Sequence, residues 1–268
     1  MDFARTLHQV REAVAEAGAA ILEIYADPDR FETEHKADDS PLTAADLAAN
    51  SLLVARLQEL TPDIPILSEE SKQAPWHERR HWPQCWVVDP LDGTREFLKR
   101  NDEFTVNVAL VRDHQPVLGV VYAPALQKWY FAARHEGAWR QTGGGGVLDR
   151  IQVSERSPDR PWRVVGSRSH NTAAVDAFVD RLGEAELVSM GSSLKLCLVA
   201  DGTADLYPRL GPTSEWDTCA AQAVVEQAGG QVLDAASGKP LVYNARESLL
   251  NPHFIACARP DPDWFDNS

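Results

Sequence analysis

Positive charge is in short supply: 26 Lys and Arg stand against 40 Asp and Glu in 268 residues, a formal charge of −14 at pH 7 with His neutral. A nucleic-acid polymer or an anionic membrane repels such a surface unless a local basic patch intervenes, so neither is the expected partner. Cysteine is scarce and scattered. Cys85, Cys197, Cys219 and Cys257 form no CxxC pair and no zinc-ribbon spacing, which suits reduced thiols in the cytoplasm. No apolar run approaches the ~18 residues of a membrane span. The opening Met1-Asp2-Phe3-Ala4-Arg5 lacks a basic segment leading into an apolar one, which predicts neither export nor insertion. Neither GxGxxG nor a P-loop lysine motif occurs, which leaves little room for a dinucleotide enzyme or an NTPase.

What is present describes a folded chain, with 44% apolar and 25% charged residues and length enough for one large domain or two small ones. Leu7, Val10, Val14, Ala17, Ile21 and Ile24 step by three or four and predict a helix ending near Tyr25. Pro41 and Thr43 open a second helical pattern through Leu60, with Thr43-Ala44-Ala45-Asp46 as its capping box. Short β-rich runs follow at Ile64 to Leu67, Cys85 to Val88, Thr105 to Val111, Val117 to Tyr122, Trp129 to Ala133 and, beyond the four glycines 143–146, Ile151 to Val153. A junction between Pro158 and Pro161 divides the chain into halves 1–157 and 158–268. The second half alternates strand and helix: Val164-Val165, Thr172 to Leu182, Ser193 to Ala200, Ala204 to Tyr207, Thr218 to Gln227, Gln231 to Leu233 and Phe254 to Cys257. That alternation is an α/β pattern.

Two of the early strands end in carboxylates. Ile64 to Leu67 leads into Ser68-Glu69-Glu70, and Cys85 to Val88 leads into Asp89-Pro90-Leu91-Asp92-Gly93-Thr94. Pro90 fixes φ and Gly93 permits a tight turn, so a sharp bend after Val88 would point Asp89, Asp92 and the carbonyl of Leu91 to one side. Like charges that close raise one another's pKa unless a cation sits between them. A divalent metal answers that need, and an all-oxygen donor set selects Mg²⁺ or Mn²⁺ over zinc or copper. Asp217, in Trp216-Asp217-Thr218, stands where a helix begins. Plainer readings compete at each position: a type I turn at Asp89 to Gly93, a solvated Glu69-Glu70 loop, a simple cap at Asp46 or Asp217, and surface positions for His170 and Lys195.

Leu67-Ser68-Glu69-Glu70, Val88-Asp89-Pro90-Leu91-Asp92-Gly93-Thr94 and Trp216-Asp217-Thr218 resemble the three signature segments of the inositol monophosphatase superfamily. Four further segments resemble its CysQ-type 3'(2'),5'-bisphosphate nucleotidases: Lys36 to Asp46, Thr94 to Arg100, Ser167-Arg168-Ser169-His170 and Gly191-Ser192-Ser193-Leu194-Lys195. The resemblance runs from about Lys36 to Phe254. It implies a layered αβαβα sugar-phosphatase fold with the active site between two halves. It also implies Mg²⁺-dependent removal of the 3'-phosphate of adenosine 3',5'-bisphosphate to leave AMP, with inhibition by lithium. Carried over by position, Glu69, Asp89, Asp92, Asp217 and the carbonyl of Leu91 hold two or more Mg²⁺ ions, with Mn²⁺ as a substitute. Thr94 and Asp46 orient the attacking water. Gly93 and Thr94 border the phosphate, while Ser167, His170, Gly191 and Lys195, with Asp217, surround the nucleotide. Arg209 is a further cation for a second phosphate. The expected partner is this small nucleotide, with a homodimer left open. The expected location is the cytoplasm, with a peripheral position at the inner face of the cell membrane left open.

Three rivals remain at this level. An inositol monophosphatase or a sugar bisphosphatase shares the metal motifs. A regulatory module would bind Mg²⁺ without releasing phosphate. His77-Glu78-Arg79-Arg80-His81 is a literal HExxH, the zinc metallopeptidase pattern, although Pro75 and Pro83 leave it only about two helical turns.

Overall fold

The computed structural model describes residues 2–27, 33–35, 41–157, 159–166 and 172–265, with the side chains of 33–35 and 41 outside that description. Ser167, His170 and the Lys36 to Ser40 part of the nucleotidase-like segments therefore lie outside the described residues.

The first layer is a pair of helices. α1 (Phe3–Tyr25) buries Leu7, Val10, Val14, Ala17, Ile21 and Ile24 on one stripe, and Asp2 caps it by accepting from the Arg5 amide at 3.1 Å. A two-stranded ribbon, β1 (Thr33–His35) and β2 (Pro41–Thr43), leads into α2 (Ala44–Leu60). The second layer is a seven-stranded sheet in chain order: β3 (Ile66–Ser68), β4 (Gln84–Asp92), β5 (Thr105–Arg112), β6 (Gln115–Ala123), β7 (Lys128–Ala133), β8 (Gly137–Thr142) and β9 (Leu148–Arg150). Two short helices, α3 (Trp76–Arg79) and α4 (Thr94–Leu98), flank β4. Side chains alternate across the sheet as its pleat requires. Along β5, Val106, Val108 and Leu110 pack under α1 and α2, while Ala109 and Val111 face the opposite side. Burial on both faces explains why these strands read as nearly unbroken apolar runs.

On that opposite side lie α6 (Leu194–Ala200) and α7 (Glu215–Gln227), the third layer. α7 approaches the sheet so closely that a Cβ on Gly119 of β6 would stand 2.2 Å from the Ala220 carbonyl oxygen and 2.8 Å from the Ala223 methyl. The fourth layer is a five-stranded sheet in the order β11 (Ala185–Ser189), β10 (Trp162–Gly166), β12 (Leu206–Arg209), β14 (Phe254–Cys257), β13 (Gln231–Asp234). β10 runs parallel to both neighbours, and β14 runs antiparallel to both of its own. α5 (Ala173–Leu182) covers the outer face, with Phe178 against the Val164, Leu206 and Ile255 cluster. Helices, sheet, helices, sheet, helix is the layered order that the resemblance implied. One buried cluster runs from Leu67 and Val111 of the first sheet through Cys219 of α7 to Phe254 of the second.

Several boundaries differ from the sequence reading. Ile151 to Val153 is not a strand: β9 ends at Arg150, and the chain then makes isolated bonds to the Ala138 and Ala228 carbonyls as it leaves the sheet. β8 and β11 escape the apolar-run criterion because their outward positions are polar or exposed. α7 starts at Glu215 rather than Thr218, since Ser214 is its cap.

Candidate active site

The acids are assembled by strand geometry. β3 pairs parallel to β4, and the amide of Glu69 donates to the Val88 carbonyl at 3.1 Å, which sets Glu69 beside Asp89. The turn expected after Val88 is instead a bulge inside β4. Asp89 pairs with Asn107 and Asp92 with Thr105, and the ladder shifts register between them. Pro90 has no N–H to donate, so a bulge suits it as well as a turn would. The Leu91 amide donates to Asp89 Oδ1 at 3.1 Å, and both residues are buried. Gly93 then takes φ +91° and starts α4 at Thr94. That left-handed conformation costs glycine little and other residues much.

Asp46 arrives from the first layer. In the capping box of α2 its Oδ2 accepts from the Thr43 amide at 2.8 Å and from Thr43 Oγ1 at 2.5 Å. Its other oxygen, Oδ1, accepts from Thr94 Oγ1 at 3.3 Å, so one carboxylate caps a helix and reaches Thr94 together. Asp217 arrives from the opposite side. It is the third residue of α7 rather than its cap, and its Oδ2 accepts from the Ser214 amide at 2.9 Å.

Ser193 joins these parts and was not singled out in the sequence. Its amide and hydroxyl donate to Asp92 Oδ2 at 2.5 and 2.7 Å, and its Oγ lies 2.7 Å from the Asp217 carbonyl oxygen. Asn107, the β5 partner of Asp89, donates to the same hydroxyl at 2.8 Å. Glu103 was missed as well. Its Oε2 accepts from the Gly191 amide at 2.7 Å, and a Cβ on Gly191 would stand 2.8 Å from the Glu103 carbonyl oxygen. Gly191 is thus a close-approach glycine. The signal for Ser193 and Glu103 is purely spatial, since their partners lie 101 and 88 residues away.

The electrostatics record the crowding. Burial pushes the Asp89 carboxyl well above the usual range, and Glu69, Asp92, Asp217 and Asp46 push it further. Burial likewise carries Asp217 up to about 8, with Asp92 and Glu69 adding and the Ser214 amide and Arg209 opposing. Burial lowers Lys195, against the pull of Asp92, Glu96 and Asp217. As they stand, no three His, Cys, Asp or Glu side chains among the described residues form a closed metal-holding group. Oxygens of Asp89, Asp92 and Asp217 are instead held by the Leu91, Ser193 and Ser214 amides. The chemistry of the donor set nonetheless fits a hard divalent ion: carboxylates and a carbonyl, with no soft ligand and like charges near enough to repel.

Some of these groups border a solvent-open cleft with about 760 Å³ of empty space, where the seven-stranded sheet, α6, α7 and β12 meet, while Asp46, Glu69, Asp89, Leu91 and Thr94 are not among the residues that line it. Asp92, Gly93 and Asp217 line it together with Lys195, Tyr207 and Arg209. Lys195 Nζ lies 5.9 Å from the Tyr207 ring, and the buried Arg209 Nε has no hydrogen-bond partner among the described residues. The HExxH segment plays no part in this cleft. α3 is a single four-residue turn, and His81 lies beyond its end, so the two exposed histidines cannot share a helical face.

Residues 4–259 match the inositol monophosphatase family. The chain is 51% identical over 248 residues to a Salmonella typhimurium protein named 3'(2'),5'-bisphosphate nucleotidase CysQ, covering 92% of this chain and 98% of that one. It is 36% identical over 262 residues to the protein of the same name from Haemophilus influenzae, covering 96% and 94%. Among solved structures, CysQ from Bacteroides thetaiotaomicron superimposes with a TM-score of 0.86 at 43% identity, covering 97% of this chain and 99% of that one. An inositol monophosphatase from Anabaena gives 0.76 at 25% identity, covering 96% and 92%. This chain belongs to the inositol monophosphatase family.

Proposed function

We propose that this chain is a divalent-metal-dependent phosphomonoesterase that removes the 3'-phosphate of adenosine 3',5'-bisphosphate, leaving AMP and inorganic phosphate. The observation that carries this reading is the 51% identity, over nearly the whole of both chains, to a relative named 3'(2'),5'-bisphosphate nucleotidase. The cleft supports it by setting acids and three cationic side chains, Arg95, Lys195 and Arg209, around one space.

Glu69, Asp89, Asp92, Asp217 and the carbonyl of Leu91 would hold Mg²⁺, in two or more ions, with Mn²⁺ as a substitute. The bound metal supplies a Lewis acid that lowers the pKa of water and neutralises phosphoryl oxygens. Thr94 orients the attacking water: its hydroxyl lies 3.3 Å from Asp46 Oδ1 and 3.5 Å from the Leu91 carbonyl oxygen, and with its proton directed to Asp46 its lone pairs accept from the water. Asp46 keeps that orientation because the Thr43 amide and hydroxyl fix its other oxygen. Gly93 lets the chain pass the phosphate without a Cβ in the way. Gly191 and Lys195, with Ser167 and His170, contact the nucleotide, and Arg209 offers its fork to the second phosphate. Buried, unpaired cysteines among the described residues support a cytoplasmic setting, and no helix of those residues is long and apolar enough to cross a membrane. Sedimentation would show whether the active species is a homodimer.

The test is phosphate release with Mg²⁺ from the bisphosphate nucleotide, inositol 1-phosphate and fructose 1,6-bisphosphate. The nucleotide is expected to give the highest kcat/KM, with activity vanishing in chelator. A preference for either sugar phosphate moves the assignment to another branch of the family. Metal binding with no phosphate release from any of the three makes the chain a regulatory module.

A further inference from the structure

The segment that imitates a zinc motif contains a residue with a different use. We infer that Arg79 is a positioning residue for the reaction: it pins the loop 244–247 and, through Asn244 and Glu215, fixes the first turn of α7, on which Asp217 sits. The inference rests on the function proposed above.

Arg79 is buried while its neighbours His77, Glu78 and Arg80 are exposed. Its guanidinium lies 4.8 Å from the Trp76 ring centroid and sends Nη1 to Asn244 Oδ1 at 2.8 Å and to the Arg246 carbonyl at 2.9 Å, while Nη2 bonds the Glu247 carbonyl. These partners are an amide and two backbone carbonyls rather than a carboxylate. The fork therefore sets the path of a loop more than it neutralises a charge.

Asn244 relays that placement. It is buried and sits at φ +47°, a left-handed conformation that asparagine adopts more readily than most side chains. Its side-chain amide donates back to the Arg79 carbonyl at 2.8 Å, and its backbone N–H donates to Glu215 Oε2 at 2.7 Å. Glu215 is wholly buried, is the first residue of α7, and its Oε1 has no partner among the described residues. The Asn244 amide is thus the hydrogen bond that holds this side chain, and Asp217 follows two residues later. Arg79 itself lies on the connection between β3 and β4, the strands that present Glu69 and Asp89. The contact therefore ties the carrier of one set of acids to the carrier of the other, across 165 residues of sequence.

The test uses the full chain and reads metal binding apart from catalysis. Calorimetric Mn²⁺ binding without substrate is measured beside Mg²⁺ half-saturation, kcat and KM for the bisphosphate nucleotide, and thermal melting. Arg79→Lys keeps the charge and loses the fork. It is expected to weaken Mn²⁺ binding and raise Mg²⁺ half-saturation severalfold, less than the tenfold or more that follows when a group bonded directly to a metal ligand is lost, with kcat falling and KM nearly unchanged. Asn244→Ala should do the same, and the double variant should be no worse than either alone, because both break one chain of contacts. Arg80→Lys, the same substitution at an exposed neighbour, should alter nothing. Arg79→Lys or Asn244→Ala with a lower melting temperature but unchanged Mn²⁺ affinity and Mg²⁺ half-saturation overturns the inference. Should Arg79→Lys fail to fold, Asn244→Ala carries the same decision, since it cuts the same link to Arg79. A wild-type chain that binds Mn²⁺ yet releases no phosphate from the nucleotide defeats the proposed function, while the Mn²⁺ comparison still decides the role of Arg79.

Discussion

Asp89 and Asp205 are both buried aspartates, and the chain treats them in opposite ways. Asp205, at the entrance to β12, accepts from Arg160 Nη1 and Nη2 at 2.6 and 2.7 Å, from the Arg163 amide and Nη2 at 2.9 and 3.0 Å, and from Ser154 Oγ at 2.5 Å. Burial pushes its carboxyl up, but the two arginines, the serine and the amide overcome that and hold it well below the usual carboxylate range. Asp89 has the Leu91 amide on Oδ1, and its charged neighbours are Glu69, Asp92, Asp217 and Asp46, all of which push it up. One acid is neutralised from within the fold. The other has neighbours that only a proton or a cation from outside can reconcile, so its charged form opposes folding of the metal-free chain and serves binding instead.

The hardest test of that contrast is Asp89→Asn. Phosphate release with saturating Mg²⁺ should fall at least about 10³-fold, because a lost metal ligand forfeits several kcal/mol of charge stabilisation in the transition state. In chelator the same variant should melt higher than the wild type, since one member of a repelling group has lost its charge. Near-normal turnover, or a lower melting temperature without metal, would erase the distinction between the two acids.

Thr94→Ala comes next. With the hydroxyl removed, kcat is expected to fall about 10²-fold, within the range of a lost acid–base positioning group, and KM to change little. Thr94→Ser keeps the proton that Asp46 receives and should retain most of the activity. Equal losses in both variants would mean that the methyl packing, rather than the hydroxyl, matters at this position.

What could be read in advance follows the range of each signal. The capping box at Thr43 and Asp46 and the apolar run ahead of Asp89 are local patterns, and both stand in the structure. The Asp89-Pro90-Leu91-Asp92 run was legible as an irregularity but not as its kind, because proline serves a turn and a bulge equally. Local pattern alone could not bring Asp217 to Asp92: α7 must first lie against Gly119, and that packing is decided by residues a hundred positions upstream. Family resemblance supplied the grouping that periodicity could not. Ser193 and Glu103 stayed hidden for the same reason, and Arg79 was disguised by the two histidines beside it.

Asp205→Asn examines the other member of the comparison. An amide cannot satisfy two guanidinium groups, and removing one partner of a fully buried pair costs several kcal/mol. Arg160 and Arg163 are about 30% exposed, so water restores part of the loss and the expected cost is about 2 kcal/mol. Activity should stay within about twofold, because nothing the variant changes borders the cleft.

The pH dependence of that cost separates a charged anchor from a merely polar one. A carboxyl held below its unfolded value of about 3.9 binds fewer protons in the folded chain, so its stabilisation is complete above that value and is lost as pH falls toward the folded one. The stability gap between wild type and Asp205→Asn, read from urea unfolding, should therefore be constant from pH 7 down to about 5 and shrink below about 4. Should the gap close between pH 6 and 8 instead, Asp205 does not stand as an anion between its arginines. Both buried acids would then be of one kind, and the contrast with Asp89 would fail.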